Sequence, residues 1–515
     1  MTGAATPDPG DAAAVDAIAG DEVEAGASQA VHGRSDRAEA ARGGRWGLVS
    51  GMFEQVGSIV ATIVLARLLS PQDFGVVAAA TLLLNLLHMA GNIGLGASLV
   101  RRDSIEEPVS STTFWLASGI GVALTSLLIV LSPLLARAMG QPSITAYVIA
   151  LSPLLAINMV SNVSEARLLR ELRFPWVYTA DILNIVVYVS LTLLLAWAGL
   201  GAWSMVIGRV AGELLATILR MVAARWLPRW TFDLASIKGD LRYNAGFFGN
   251  QFLNYFVKNV DYWMVSFTLG ATALGLYYIA FVLPNILRQR LTWLAGEILF
   301  PLMARAKDDL VEVRAIYQES VELLNFIAIP LLGGVALTAT QIIALAFDEK
   351  WMAAVGPLRW LTIAALAEIT GQCGMVMFLA LGKPSVNIRI QTIRLVASVA
   401  FLFVVARTTD GITPVAVAIA AATLLSTIIT QLAVRTEIGV GFSPVLRLNR
   451  GPLAGLAAMA AVVIPLQGQV DGLAMILQAI VLALAGAAAY LTVLLLVDRT
   501  NALRLFGRLK RVVRG

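Results

Sequence analysis

The sequence predicts an all-α polytopic membrane protein of about fourteen transmembrane helices, arranged as two pseudo-symmetric six-helix lobes plus two C-terminal helices. Three observations carry that expectation. The chain has 515 residues, 58% of them hydrophobic and only 14% charged, whereas soluble globular proteins are about 25% charged. Its mean hydropathy is +0.78, and the apolar residues gather in runs of roughly 18–25, the length that crosses a ~30 Å hydrocarbon layer. The cations fall in alternate gaps between those runs, the pattern that fixes membrane orientation.

Residues 1–45 are rich in Ala, Gly and Asp and have no apolar period, so they read as a disordered cytoplasmic tail. No charged n-region leads into an apolar h-region, and no cleavable signal peptide is expected. The spans then follow at 46–66, 74–97, 112–135, 144–164, 177–198, 201–222, 244–268, 273–298, 320–346, 354–381, 388–406, 412–434, 452–467 and 473–497. The N-lobe takes 46–232 and the C-lobe 233–436, while 437–515 holds the last two spans and a basic C-terminus.

Of the 38 Lys and Arg residues, about 29 sit in the two tails and the even-numbered gaps, and about five in the odd-numbered gaps. That bias places both termini in the cytoplasm. The net charge of +5 is spent beside apolar spans, where cations meet anionic lipid headgroups. It is no nucleic-acid signal. The outer gaps are short, and the longest holds Phe347-Asp348-Glu349-Lys350-Trp351. No extramembrane domain is expected, so the function resides within the bilayer.

An internal repeat supports the two-lobe reading. Leu69-Ser70-Pro71-Gln72-Asp73-Phe74-Gly75 leads to Ala80, and Leu269-Gly270-Ala271-Thr272-Ala273-Leu274-Gly275 leads to Ala280. Each segment joins two spans, and glycine permits the close helix approach such a turn needs. An even number of spans between the copies keeps both in one orientation, as in parallel-repeat transporters that hold substrate between their halves.

A charge within the bilayer costs about 2.5–3.5 kcal/mol on the mildest scale, so charged residues inside spans are candidate functional groups. Arg209 and Glu213 lie on one face of span 6, and Lys258 and Asp261 on one face of span 7. Each pair either closes as an ion pair that pins helices together or lines a central cavity. Arg288 and Arg290 lie beyond Pro284 in span 8, where they either snorkel to the interface or face a cavity. The repeat puts His88 opposite Arg288, which suggests facing walls of one chamber; the plainer reading of His88 is a hydrogen-bonded packing residue. Glu54, Asp181 and Glu368 are isolated acids in spans, candidates with Glu213 and Asp261 for ion coupling or ion pairing. Glu297 sits where it would partner nearby arginines.

The single cysteine, Cys373, excludes an intrachain disulfide and reads as a small core residue. There is no phosphate-cradling loop, no His/Cys metal cluster and no catalytic constellation on a substantial loop. No cofactor, metal or ATP hydrolysis is expected. An arginine- and lysine-lined cavity suits an anion, because guanidinium binds phosphate bidentately.

Several motifs carry a family resemblance. They are Leu65-Ala66-Arg67-Leu68-Leu69-Ser70-Pro71 with Phe74-Gly75, Gly94-Leu95-Gly96-Ala97-Ser98-Leu99-Val100-Arg101-Arg102, and Arg170-Glu171-Leu172-Arg173-Phe174. Further on come Gly199-Leu200-Gly201-Ala202-Trp203, Asn259-Val260-Asp261, Phe300-Pro301 and Leu379-Ala380-Leu381-Gly382-Lys383-Pro384. Over about residues 46–440 the chain resembles the polysaccharide transporters, the O-antigen and exopolysaccharide flippases of the multidrug/oligosaccharidyl-lipid/polysaccharide (MOP) superfamily. The resemblance implies fourteen helices in two lobes, a bacterial inner-membrane location, and transfer of a polyprenyl-diphosphate-linked oligosaccharide to the outer leaflet. It also implies no enzymatic activity and a working association with polysaccharide polymerase machinery. Lys258 and Asp261 match positions that are commonly basic and acidic in relatives; Arg288 and Arg290 are less typical there.

The expected mechanism is alternating access, with Arg209, Lys258, Arg288, Arg290 and His88 holding the diphosphate. A multidrug exporter of the same superfamily is the first rival, and acids would dominate its cavity. A membrane glycan polymerase or ligase is the second, and it would need a large outer loop. A non-transporting assembly factor is the third.

Overall fold

The computed structural model describes residues 46–47, 50–91, 99, 107–470 and 472–514. The expected tail, 1–45, and most of the 94–102 motif lie outside the described residues. Every regular element described is helical. In chain order the helices are α1 (Ser50–Leu68), α2 (Pro71–Gly91), α3 (Glu107–Ala138), α4 (Ile144–Arg170), α5 (Phe174–Trp197) and α6 (Ala202–Ala224). Two helices follow, α7 (234–269) and α8 (271–305), which meet at Gly270, where a φ of 81° interrupts the helical path. Then come α9 (Leu310–Leu337), α10 (Val355–Ala380), α11 (Pro384–Thr408), α12 (Ile412–Ile438), α13 (Arg450–Val470) and α14 (Met475–Arg514).

Twelve segments among the described residues are long and apolar enough to cross a membrane. One of them, Gln251–Arg305, is 55 residues long, too long for a single ~30 Å crossing at about 1.5 Å per residue. Gly270 divides it. Ala202–Ala224 is a further helix of spanning length, made less apolar by Arg209, Glu213 and Arg220. Dividing the first and adding the second is compatible with the fourteen expected.

Local chemistry explains the ends. Ser70 and Asp73 cap α2: the Asp73 carboxylate accepts from the Ser70 N–H at 2.9 Å, and Ser70 Oγ accepts from the Asp73 N–H at 3.2 Å. Pro175 and Pro384 stand in the first turns of α5 and α11, where the missing N–H costs nothing. Asp309 caps α9 through the N–H groups of Val311 and Glu312.

The expected loop 223–243 is shorter than its composition implies, because helix resumes at Leu234. What remains is a strap held on α3. The Arg229 N–H donates to Ser111 Oγ at 3.0 Å, the Trp115 indole donates to the Arg229 carbonyl at 2.9 Å, and Trp115 stacks on Trp230 at 4.1 Å.

The two lobes, α1–α6 and α7–α12, cross where α2 meets the α7–α8 break. A Cβ placed on Gly75 would lie 1.7 Å from the Ala271 carbonyl oxygen; one on Gly275 would lie 1.9 Å from the Pro71 oxygen. Residue 75 touches 271 and residue 275 touches 71, so the contact is reciprocal at the spacing of the repeat. It closes one end of the molecule, here called the sealed end. Beyond the lobes, α13 and α14 pack on α9 in one cluster of Phe326, Ile329, Met459, Val463, Leu482 and Tyr490. Past a break at Asp498, α14 returns to the C-lobe: Arg504 donates to the buried Glu322 at 2.8 Å and 3.1 Å.

Candidate functional site

Between the lobes lies a cavity of about 1320 Å³ walled by α1, α2, α5 and α6 on one side and α7 and α8 on the other. Leu65 and Phe74 roof it at the sealed end. Its polar lining consists of amides, hydroxyls and two cations, Arg209 from α6 and Lys258 from α7; no carboxylate stands among the described lining residues. Both cations are exposed to the cavity, and neither makes a hydrogen bond or ion pair among the described residues.

Their expected partners are engaged elsewhere. Glu213 accepts from the Asn184 amide at 2.8 Å and pairs with Arg220 at 3.5 Å. Asp261 is buried, accepting from the Tyr277 hydroxyl at 2.8 Å and the Tyr262 N–H at 2.9 Å. Sharing a helix face therefore does not close either pair. A guanidinium within the N-lobe competes for one acid, and a buried phenol satisfies the other.

A second cavity, of about 1370 Å³, lies inside the C-lobe and meets the first at Lys258, Asn259, Phe281, Asn285 and Gln289. On its wall, Glu368 takes Arg288 at 2.7 Å and Arg394 at 2.9 Å; Arg288 also donates to Asn285 at 2.6 Å. A third cavity, of about 490 Å³, lies inside the N-lobe, lined by His88, Glu165, Glu213 and Arg220 among others. Arg220 there reaches Asp181 at 2.5 Å, Glu213 at 3.5 Å and Glu165 at 3.7 Å.

The ten residues singled out by sequence thus fall into four places. Arg209 and Lys258 line the inter-lobe cavity. Arg288, Glu368 and Asp261 line the C-lobe cavity, which Lys258 also borders. His88 and Glu213 line the N-lobe cavity, with Asp181 bound to its arginine. Arg290 and Glu54 line none of the three. Arg290 donates to the Gly51 carbonyl and to Gln55 Oε1 at 3.1 and 3.3 Å, which ties α8 to α1 across the lobes. The exposed Glu54 carboxylate has no partner among the described residues.

His88 and Arg288 are therefore not facing walls of one chamber. The repeat relates their positions, but each side chain enters its own lobe, so corresponding helices put them in corresponding intra-lobe cavities. Three members of these clusters were missed in the sequence: Glu165, Arg220 and Arg394. Arg220 and Arg394 lie near the ends of apolar runs and read there as interfacial cations. Their depth, four residues from the end of α6 and ten into α11, was the available signal. No group of three or more metal-binding side chains occurs among the described residues.

Comparison with known proteins follows the same outline. Residues 64–356 match the polysaccharide biosynthesis protein family, more than half of the chain. This chain belongs to that family. It is 22% identical over 331 residues to the lipopolysaccharide biosynthesis protein WzxC of Escherichia coli (strain K12), a match covering 64% of this chain and 67% of WzxC. It is 24% identical over 292 residues to the succinoglycan biosynthesis transport protein ExoT of Rhizobium meliloti (strain 1021), covering 56% of this chain and 58% of that relative. Among solved structures it is similar to the lipid II flippase MurJ in an inward closed conformation, with a TM-score of 0.71, 14% identity, and 88% of this chain and 98% of MurJ covered. The family member is thus a multi-pass membrane protein with the MurJ fold.

Proposed function

We propose that this family member is a flippase that moves a polyprenyl-diphosphate-linked oligosaccharide from the cytoplasmic to the outer leaflet of a bacterial inner membrane. The observation that carries the reading is the inter-lobe cavity: one unpaired cation from each lobe, facing a shared space without a lining carboxylate. A diphosphate diester carries two negative charges, and Arg209 and Lys258 supply two positive ones. Amides such as Asn85, Asn259 and Asn285 offer donors and acceptors to sugar hydroxyls. The names of the relatives, a lipopolysaccharide biosynthesis protein and a succinoglycan transport protein, agree with that substrate class.

The cation bias between spans supports placing the sealed end outward and both termini in the cytoplasm. The anion then leaves a negative interior, a gain of ~2.3 kcal/mol per charge per 100 mV. Alternating access follows from two halves rocking about a shared site. For ion coupling, the N-lobe cluster is the favoured seat, because three carboxylates around Arg220 leave a charge deficit that a proton or cation would fill. A polymerase partner and the absence of catalysis belong to the same proposal.

Leaflet-resolved transport of a lipid-linked sugar in liposomes tests the reading. Arg209→Gln combined with Lys258→Gln removes both cavity cations and is expected to abolish flipping while the protein remains inserted. Undiminished flipping by that double variant would refute the diphosphate clamp.

A further inference from the structure

The sealed end roofs the proposed substrate cavity, and its chemistry is built twice. Besides the glycine crossing, two neutral side-chain donors at this end reach across the lobes. The Trp351 indole of the C-lobe donates to the Ala66 carbonyl at 2.9 Å, in the last turns of α1. The Gln141 amide of the N-lobe donates to the Ser266 carbonyl at 2.9 Å, near the end of α7. Ala66 and Ser266 stand at the spacing of the repeat, as Gly75 and Gly275 do. Trp351 and Gln141 each sit in the connection after the third helix of their lobe. Both are buried, at 0% and 9% exposure. The acceptors are main-chain oxygens near helix C-termini, where carbonyls lack helical partners and carry the negative end of the dipole.

The two flanks differ in charge. Beside Trp351, Lys350 Nζ donates to the Arg67 carbonyl at 3.0 Å. Arg67 in turn donates to the Ala346 carbonyl at 3.4 Å and to the Leu345 carbonyl. Beside Gln141, the corresponding positions are Gly140 and Phe267, which supply no cation. Charge-assisted bonds are roughly twice as strong as neutral ones. Phe74 meets Trp351 edge-on at 5.3 Å and also lines the cavity below, so the stronger flank lies directly above the site.

We propose that Trp351, Lys350, Arg67 and Gln141 are positioning residues of the transport step. They set how often the cavity opens at the sealed end, and the Gln141 flank is the weaker of the two. The inference rests on the transport reading in one respect: the cavity must open here for substrate to leave.

The test is thiol accessibility in membrane vesicles. Thr62 lines the cavity and Cys373 is buried, so Thr62→Cys in a Cys373→Ser background gives one reporter. A membrane-impermeant maleimide is applied from the sealed side and, separately, from the opposite side. Loss of one neutral hydrogen bond in Gln141→Leu is expected to raise labelling from the sealed side roughly 2–10-fold. Trp351→Phe with Lys350→Gln is expected to raise it further. Labelling from the opposite side does not rise in either case, whereas in a merely loosened protein it would.

Unchanged sealed-side labelling in both variants overturns the proposal, as does an equal rise from both sides. If labelling shifts as expected but no variant alters flipping of a lipid-linked sugar, the gate stands and the flippase reading falls. If flipping is normal and labelling does not move, the gate alone falls.

Discussion

The two lobes carry polar clusters in corresponding places, built with opposite charge. In the N-lobe, Glu165, Asp181 and Glu213 surround Arg220. In the C-lobe, Arg288 and Arg394 surround Glu368, with Lys258 and Asp261 on the same cavity wall. One cluster has a surplus of carboxylates and the other a surplus of cations. A repeat that holds in the backbone therefore does not hold in the field. The carboxylate surplus is turned inward on Arg220, so it leaves Arg209 free to face the central cavity. The basic surplus opens toward that cavity through Lys258. An anion between the lobes meets the cations of both and the acids of neither.

Substitutions put this contrast to the test. The largest effect is expected for Arg220→Met, which leaves three carboxylates inside the N-lobe without their cation. Removing one partner of a buried pair costs about 3–5 kcal/mol, and thermal unfolding in detergent should show at least that loss. A variant as stable as the parent would mean that the acids are already neutralised. Glu368→Gln should fall toward the lower end of the same ~3–5 kcal/mol range, because Arg288 keeps Asn285 as a partner. Adding Arg394→Gln should recover part of the loss, a coupling that a double-mutant cycle reads directly.

A smaller effect, about 1–3 kcal/mol, is expected for Tyr277→Phe, which strips Asp261 of its hydroxyl donor without opening a cavity. The smallest is expected for Glu213→Gln, within about 0.5 kcal/mol of the parent. The amide can still accept from Asn184, and the carboxylate surplus shrinks. If Glu213→Gln proved as damaging as Glu368→Gln, the two clusters would be equivalent and the contrast would dissolve.

Much of the fold was legible in the chain. Apolar runs mark membrane helices because the bilayer enforces one length and one composition, and Gly75 and Gly275 mark the crossing because main chain touches main chain there. The helix breaks were less legible. Spans 7 and 8 read as separate and are two helices, because a turn residue, Gly270, interrupts the apolar pattern; the pattern does not show that helix resumes at once on its far side. The strap at 225–233 read long because its tryptophans and its one proline, Pro228, mimic a loop, while the residues after it are polar but helical.

Side-chain pairing was least legible. Arg209 with Glu213 and Lys258 with Asp261 share helix faces, but Arg220 stands on the same face of α6 about two turns beyond Glu213, and Tyr277 lies across the break from Asp261, so a shared face does not choose the partner. His88 and Arg288 illustrate the same limit, since equivalence under the repeat fixes a place in each lobe and not a common chamber.

The reciprocal glycine crossing has a further consequence. When each half offers the same patch to the other, the interface is of the isologous kind that paired identical subunits build. This molecule is thus organised as a dimer whose two members share one backbone, joined through the short strap on α3. Alanine at Gly75 or at Gly275 would wedge against the neighbouring main chain alike, so neither half can be altered at that crossing without displacing its twin.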